Sequence, residues 1–252
     1  MQQQRFAGKT ALVTGGARGI GRAICQTLAA DGARVAVNYR SSRDQAESLA
    51  REVAAAGGTA EIFKGDVSQP GQVATMVERI EGSLGPIDLL VNNAGIFHFG
   101  DHTQLPLETW RAQIDVNLTG AYLVTWAVKD GMIARRFGRI VNVSSIAALR
   151  PRPLSIAYAV AKAGLIAFTK CCAEAFAPHN VRVNALAPGL IETDIIADVD
   201  PALRQKLIDA TPVGRIGEPE EMAKVVAFLL ADDSSFMTGQ TVVASGGRVM
   251  LP

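Results

Sequence analysis

Short apolar runs rich in Val, Ile, Leu and Ala alternate along this chain with longer stretches whose apolar residues recur every three or four positions. That alternation predicts strands joined by amphipathic helices. Strands are expected at Lys9–Thr14, Arg34–Asn38, Ala60–Lys64, Ile87–Asn92, Arg139–Ser144, Val181–Ala187 and Thr241–Ala244. Helices are expected at Ile20–Ala30, Asp44–Ala56, Val73–Ser83, Leu107–Arg135, Ile156–Ala177 and Glu220–Leu230. Strand followed by helix, repeated, implies a parallel sheet covered on both faces, and right-handed crossovers make it doubly wound. No linker or repeat divides residues 1–252, so one α/β domain is expected. The irregular stretch Pro188–Gly217 is too long to be a plain connection. It reads as a flap over the substrate with a short helix in Pro201–Ala210. The helix Ile156–Ala177 is apolar nearly all round, and Leu107–Arg135 gathers Tyr122, Leu123, Val124 and Trp126. Each keeps an apolar face beyond what the sheet needs, which implies a subunit interface.

Composition narrows the function classes. The 252 residues carry a formal net charge of +1, which argues against nucleic-acid or membrane-surface partners. No apolar run is expected to span a bilayer, and Met1–Arg5 lacks a signal peptide's apolar segment. Cys25, Cys171 and Cys172 form no CxxC pair and lie in apolar helical stretches. They read as reduced core thiols of a cytoplasmic protein. His98 and His102 have helical ligand spacing, but Gly100 lies between them and no Cys or Glu cluster accompanies them, so no metal site is expected.

The first strand runs into Thr14-Gly15-Gly16-Ala17-Arg18-Gly19-Ile20-Gly21, and a helix follows. Glycines let the backbone turn tightly against phosphate oxygens, and the helix presents unpaired N–H groups to them. At the first strand–helix junction of such a chain this is the Rossmann-type dinucleotide pattern. NAD-preferring sites place a carboxylate at the end of the second strand. Here stand Asn38-Tyr39-Arg40-Ser41 instead. Arg40, Ser41 and Arg18 can meet a 2′-phosphate, so NADP(H) is favoured over NAD(H). Asp66 and Val67, ending the third strand, suit adenine. Asn92-Asn93-Ala94-Gly95, ending the fourth, suit close passage of a ribose, although Asn92 can equally tie neighbouring strand ends together.

Tyr158 and Lys162 lie four residues apart, with Ser145 thirteen before the tyrosine. One helical turn puts the phenol and the ammonium on one face. A phenol is a poor acid at neutral pH, with a pKa of about 10, and a nearby ammonium favours its ionised form. With a serine hydroxyl donating to the same substrate oxygen, the set can interconvert an alcohol and a carbonyl.

In order and spacing, the glycine turn, Asp66, Asn92-Asn93-Ala94-Gly95, Asn117, Ser145, Tyr158, Lys162 and Pro188-Gly189 resemble the short-chain dehydrogenase/reductase family over essentially the whole chain. The likeness is greatest to bacterial 3-oxoacyl-[acyl-carrier-protein] reductases, through Asp115–Leu118, Gly138–Ser145, Ala159–Phe168, Val183–Asp194 and the ending Thr238–Gly247. The resemblance implies a catalytic Ser145, Tyr158 and Lys162 assisted by Asn117, which would anchor a water near Lys162 unless its side chain only bonds backbone. It implies cofactor contacts from Gly15, Arg18, Gly19, Ile20, Gly21, Asn93, Ala94, Gly95, Pro188, Gly189 and Ile191, with Thr193 on the carboxamide. Substrate would touch Ser145, Tyr158, Ile96, Phe97, Ile146 and Ala147. His98 either orients a polar substrate or faces solvent. The expected substrate is a small-molecule or carrier-protein-bound 3-oxoacyl thioester. Arg136 matches one position that would grip the acidic carrier, whereas His179 replaces a second arginine. Arg150 and Arg152 read as surface charge. A homodimer or homotetramer is expected. The alternatives are a dehydrogenase of a sugar, steroid or small secondary alcohol, and a nucleotide sensor without catalysis on the same fold.

Overall fold

The computed structural model describes residues 4–193 and 200–250. In chain order come β1 (Thr10–Val13), α1 (Gly19–Ala30), β2 (Arg34–Tyr39), α2 (Arg43–Ala55), β3 (Thr59–Lys64), α3 (Pro70–Leu84) and β4 (Ile87–Asn92). Then follow α4 (Leu107–Ile114), α5 (Gly120–Ala134), β5 (Gly138–Val143), α6 (Ile156–Phe176), β6 (Val181–Pro188), α7 (Pro201–Asp209), α8 (Pro219–Leu230) and β7 (Thr241–Ala244). The strands form one seven-stranded sheet in the order β3-β2-β1-β4-β5-β6-β7, and every pairing is parallel. The chain reverses direction across the sheet between β1 and β4. That switch point opens a crevice at the strands' carboxyl ends, the usual ligand position in such sheets.

Burial explains the composition. Every residue of β1, β5 and β6 is buried, as a sheet covered on both faces requires. Ile24 and Leu28 of α1, Leu49 of α2 and Val226 and Leu230 of α8 join the core on one face. Ile80 of α3, Val124 and Met132 of α5 and Phe176 of α6 join the core on the other. A buried polar chain ties the middle of the sheet to its helices. Asn92 Nδ2 donates to Asn142 Oδ1 at 2.9 Å and to Thr125 Oγ1 at 3.0 Å, and Asn142 Nδ2 donates to Thr169 Oγ1 at 2.9 Å. Of the two readings of Asn92, the structural one describes its bonding.

The departures from the sequence reading have local causes. The stretch expected as one helix, Leu107–Arg135, is α4 and α5 joined by a wide π turn over Asp115–Thr119. There Asn117 Nδ2 donates back to the Gln113 carbonyl at 3.0 Å, and such inserted bonds accompany local widening of helices. The third helix starts at Pro70 rather than Val73, because proline's fixed φ suits a first helical position even without an apolar repeat. Cys25 and Cys172 are buried and burial raises both thiols, Cys172 to about 11, whereas Cys171 is exposed and is no core thiol. Contrary to expectation, Ile156–His179 is long and apolar enough to cross a bilayer by length and composition. In this fold Ala161, Leu165, Cys172 and Phe176 of that helix are buried, so core packing accounts for one apolar face.

Candidate active site

The glycine turn lies between β1 and α1 and is clamped from two sides. Asn38 Oδ1 accepts from Gly15 N at 3.2 Å, and Asn93 Nδ2 donates to the Thr14 and Gly15 carbonyls at 3.0 and 3.1 Å. Gly15 adopts φ +60°, and a Cβ on Gly21 would collide with the Gly15 carbonyl and stand 2.5 Å from Asn93 Nδ2. The amino end of α1 has no side-chain cap, so its first N–H groups are not claimed by a capping side chain. A tight cradle with uncapped donors fits a pyrophosphate. Ile20, next in the turn, packs its side chain against the core. Thr193 reaches this turn from beyond β6, with its methyl 3.2 Å from the position of a Cβ on Gly19. The glycine turn and the segment after β6 thus converge on one crevice.

The carboxyl ends of β2 and β3 bring Arg40 and Asp66 together. Arg40 Nη1 stands 3.9 Å from Asp66 Oδ2, and the arginine side chain is 58% exposed. Asp66 Oδ1 accepts from Ser68 N and Oγ at 2.9 and 2.7 Å, which leaves Oδ2 as the oxygen facing Arg40. Ser41 is exposed beside Arg40, and Val67 is buried. A cleft of about 440 Å³ opens here, lined by Arg40, Ser68, Ile96, Arg111 and Asp115 among others. The residues fit an adenosine with an extra phosphate: a carboxylate oxygen for an amine and an exposed guanidinium for an anion.

At the ends of β4 and β5 the structure brings together Ser145, Tyr158, Lys162 and Asn117. Lys162 is buried, and its Nζ donates to the Val143 carbonyl at 2.9 Å and stands 5.7 Å from the Tyr158 ring centroid. Ser144 Oγ donates to the Lys162 carbonyl at 2.9 Å, so the first serine of the pair locks α6 onto β5. Ser145 accepts from Ala147 N at 3.1 Å. Burial pulls the Lys162 ammonium down to about 8. Burial also raises the Tyr158 phenol above its ordinary value, and hydrogen bonding with Ser145 and the positive charge of Arg152 offset part of that rise. The sequence reading assigned the downward pull to Lys162; in this structure the opposing groups are Ser145 and Arg152, and the net direction is upward.

Asn117 is wholly engaged by protein. Its Nδ2 donates to the Ile96 carbonyl at 2.9 Å, and its Oδ1 accepts from Ile96 N at 3.3 Å. A Cβ on Gly95 would stand 2.7 Å from Asn117 Oδ1 and 3.6 Å from Lys162 Nζ, so the chain after β4 threads between the two. The side-chain part of the expected water anchor is therefore replaced by a grip on Ile96. Gln113, which sequence reasoning missed, supports the same segment. It is buried, and its amide can donate to the Ile96 carbonyl and accept from His98 N, both at 3.0 Å. In sequence Gln113 reads as an ordinary polar helix residue, so no signal marked it. Asn38 was missed too, because in sequence it reads only as the end of a strand.

Substrate-side residues are mixed. Phe97 packs edge-on to Tyr158, ring centroids 5.1 Å apart, and is 42% exposed. Ile96 is half-buried, whereas Ile146 and Ala147 are buried in a short 3₁₀ turn. His98 Nε2 lies 3.2 Å from the Gln104 carbonyl. Arg150 and Arg152 are half-buried, not plain surface charge. Pro188 is buried and Gly189 half-buried at the end of β6, where a Cβ on Gly189 would stand 2.7 Å from Ser245 Cα. The base of the expected flap is closed by Glu192 N to the Gly217 carbonyl at 2.9 Å and Gly217 N to the Leu190 carbonyl at 3.0 Å. Ile191 is buried at that closure. Arg204 of α7, the expected short helix, forms an ion pair with Glu192. Asp194 and the rest of 194–199 of the flap lie outside the described residues.

A parallel doubly wound sheet with this constellation at its carboxyl edge defines a nicotinamide-dependent oxidoreductase of ketone or alcohol groups. Residues 15–248 match the family model described as enoyl-(acyl carrier protein) reductase. Acetoacetyl-CoA reductase of Rhizobium meliloti is 42% identical over 241 residues, covering 95% of this chain and 98% of that protein. 3-oxoacyl-[acyl-carrier-protein] reductase FabG of Thermotoga maritima is 40% identical over 246 residues, covering 98% of this chain and 100% of the relative. The crystal structure of 3-oxoacyl-[acyl-carrier protein] reductase from Brucella melitensis superposes with a TM-score of 0.94 at 35% identity, covering 99% of this chain and 94% of that one. This chain belongs to the short-chain dehydrogenase/reductase family.

Proposed function

We propose that the protein is an NADPH-dependent reductase of 3-oxoacyl thioesters. The observation that carries the catalytic reading is the Tyr158 phenol held with the Ser145 hydroxyl beside it and the buried Lys162 ammonium one turn away. Ser145 and Tyr158 donate to the substrate carbonyl oxygen, and Tyr158 gives it the proton. Lys162 balances the phenolate that this leaves. An ammonium poised near pH 8 can do so and recover its own proton near neutrality. Asn117 and Gln113 hold the Gly95–Ile96 segment against Lys162. A nicotinamide cofactor supplies the hydride when bound. The residues that would hold it are Gly15, Arg18, Gly19, Ile20 and Gly21 at the pyrophosphate, Asp66 and Val67 at the adenine, and Asn93, Ala94 and Gly95 at the ribose. Pro188, Gly189, Ile191 and Thr193 would hold the nicotinamide end.

The preference for NADP(H) rests on the exposed Arg40 guanidinium, with Ser41 beside it, where NAD-preferring sites carry an acid. The thioester rests on the relatives, an acetoacetyl-CoA reductase and a 3-oxoacyl-[acyl-carrier-protein] reductase. The free thiols Cys25, Cys171 and Cys172 fit a cytoplasmic setting.

We also propose self-association through α5 and α6. Tyr122 and Trp126 stack with centroids 4.6 Å apart while remaining 40% and 41% exposed, and Trp126 continues to Phe168 at 6.0 Å and Phe176 at 6.2 Å. A half-exposed aromatic cluster of this kind suits an isologous dimer face, from which a tetramer can grow.

Replacing Tyr158 with Phe is expected to lower kcat by roughly 10²- to 10⁴-fold while NADPH still binds, as read by cofactor fluorescence; turnover near wild type would remove the phenol from the reaction. Following cofactor absorbance with acetoacetyl-CoA, a sugar and a steroid offered in parallel should show preference for the thioester and for NADPH over NADH. Brisk activity confined to the sugar or the steroid, or to NADH, would overturn the respective assignment. Sedimentation at micromolar concentration should give a dimer or tetramer; a monomer would exclude the interface.

A further inference from the structure

The Tyr158 ring has an aromatic neighbour that neither core claims. Phe97 meets it edge to face, with centroids 5.1 Å apart and ring planes at 89°, and belongs to neither hydrophobic cluster. Phe97 is 42% exposed and Tyr158 is half-buried, so both rings remain within reach of a ligand. The backbone on either side of Phe97 is fixed. Asn117 accepts from Ile96 N at 3.3 Å and donates to the Ile96 carbonyl at 2.9 Å. The Gln113 amide can accept from His98 N and donate to the Ile96 carbonyl, both at 3.0 Å. Both amide side chains are buried. Gly100 N then donates to the Leu154 carbonyl at 3.0 Å, which ties the segment to the loop before α6. This stretch has left the sheet, so side chains rather than a ladder satisfy its backbone. Residues 96 and 98 are held, and Phe97 between them keeps only the freedom of its own rotamers.

A ketone bound at Tyr158 and Ser145 carries an ambiguity that these two residues do not resolve. Both bond the oxygen. Half a turn about the C–O axis leaves that oxygen in place, exchanges the two carbon arms and turns the opposite face toward the hydride. The two poses give alcohols of opposite configuration. In a 3-oxoacyl thioester one arm is an apolar alkyl chain, and the other carries the polar thioester carbonyl. Only a contact that tells apolar from polar can choose between the poses. Lys162 is buried with its Nζ on the Val143 carbonyl, and Ile146 and Ala147 are buried in their 3₁₀ turn. Phe97 is apolar, exposed and set against the phenol itself.

We propose that Phe97 selects which face of the carbonyl is reduced, by taking the alkyl arm of the substrate against its ring and leaving the thioester arm on the other side. The proposal rests on the reductase reading with Tyr158 as proton donor, because the phenol is what brings the reacting carbonyl to this ring. The chemistry balances in either pose. A hydride given up by the reduced nicotinamide forms the new C–H bond, Tyr158 gives the oxygen its proton, and the nicotinamide ends oxidised. The poses differ only in the side of the carbon that the hydride joins. Each methylene that the ring covers is worth roughly fourfold in the ratio of the two poses. Selectivity therefore grows along the alkyl chain, from a 3-oxobutanoyl to a 3-oxohexanoyl group.

The test offers both groups as N-acetylcysteamine thioesters with NADPH and separates the 3-hydroxyacyl products by chiral chromatography. Wild-type protein should give one enantiomer in large excess. In Phe97→Ala the major-to-minor ratio should fall roughly 4-fold for the 3-oxobutanoyl thioester and roughly 10-fold or more for the 3-oxohexanoyl one. Phe97→Leu, which keeps apolar bulk, should restore part of the ratio. Phe99 is 64% exposed and has no such ring contact among the described residues, so Phe99→Ala should leave the ratio unchanged. An unchanged ratio in Phe97→Ala, or a near-racemic alcohol from the wild type, would overturn the proposal and leave the carbonyl reductase standing. Equal erosion in Phe99→Ala would overturn it as well, since loosening of the loop would then account for the loss. Reduction of neither thioester, by protein that binds NADPH, would sink the reductase reading and this proposal together.

Discussion

A buried ammonium with no described carboxylate within ion-pair distance holds the active edge of this protein together. Lys162 Nζ gives a hydrogen bond to the last carbonyl of β5, and the Lys162 carbonyl takes one from Ser144 just beyond that strand. These two bonds fix the rotation of α6 about its axis. Once that rotation is set, one turn of helix puts Tyr158 opposite Ser145. Solvation alone would expel such a cation, and burial accordingly pulls it down to about 8. The cost makes chemical sense if the neighbouring phenol must shed a proton, because the ammonium then gains the counter-charge it lacks at rest. Burial raises the phenol and lowers the ammonium, so both groups at rest are pushed toward their neutral forms.

The parallel sheet makes that arrangement contiguous with a nucleotide site. Thr14, Asn38, Asn93 and Lys162 sit at the ends of β1, β2, β4 and β5 or on the helix beside them, and their side chains bind backbone of neighbouring segments rather than solvent. Thr14 Oγ1 accepts from the Asn93 and Ala94 N–H groups at 3.0 Å each, which pins the chain after β4 to the glycine turn. Asn117 continues the same segment onto Lys162. Cofactor cradle and proton donor are thus coupled through a few residues, Asn93 to Ile96, with no flexible linker between them.

Much of this was legible in the sequence, for identifiable reasons. β1, β5 and β6 are fully buried and read as nearly continuous apolar runs, so their positions were within a residue or two of those observed. Tyr158 and Lys162 were legible because their spacing matches one helical turn. What the sequence concealed depends on tertiary approach. The π turn at Asp115–Thr119 follows from one asparagine bonding backward, which no periodicity reveals. Gln113 and Asn38 look like ordinary polar residues until the segments they bridge are neighbours. Arg150 and Arg152 flank prolines in a loop and read as surface charge, and only folding makes both half-buried. The order of the phenol's perturbations was equally hidden, since burial outweighs any nearby charge at Tyr158.

The central claim is that Tyr158 is a desolvated phenol whose ionisation is coupled to an occupied nicotinamide site. Titration of ¹³Cζ-labelled tyrosine by NMR, with Tyr158 distinguished from Tyr39 and Tyr122 by its Phe variant, measures this without turnover. The account predicts a midpoint above the ordinary phenol value of about 10 in the free protein, falling when NADP⁺ brings its positive ring alongside. A midpoint already at or below that value in the free protein, or one that NADP⁺ leaves unmoved, would contradict it.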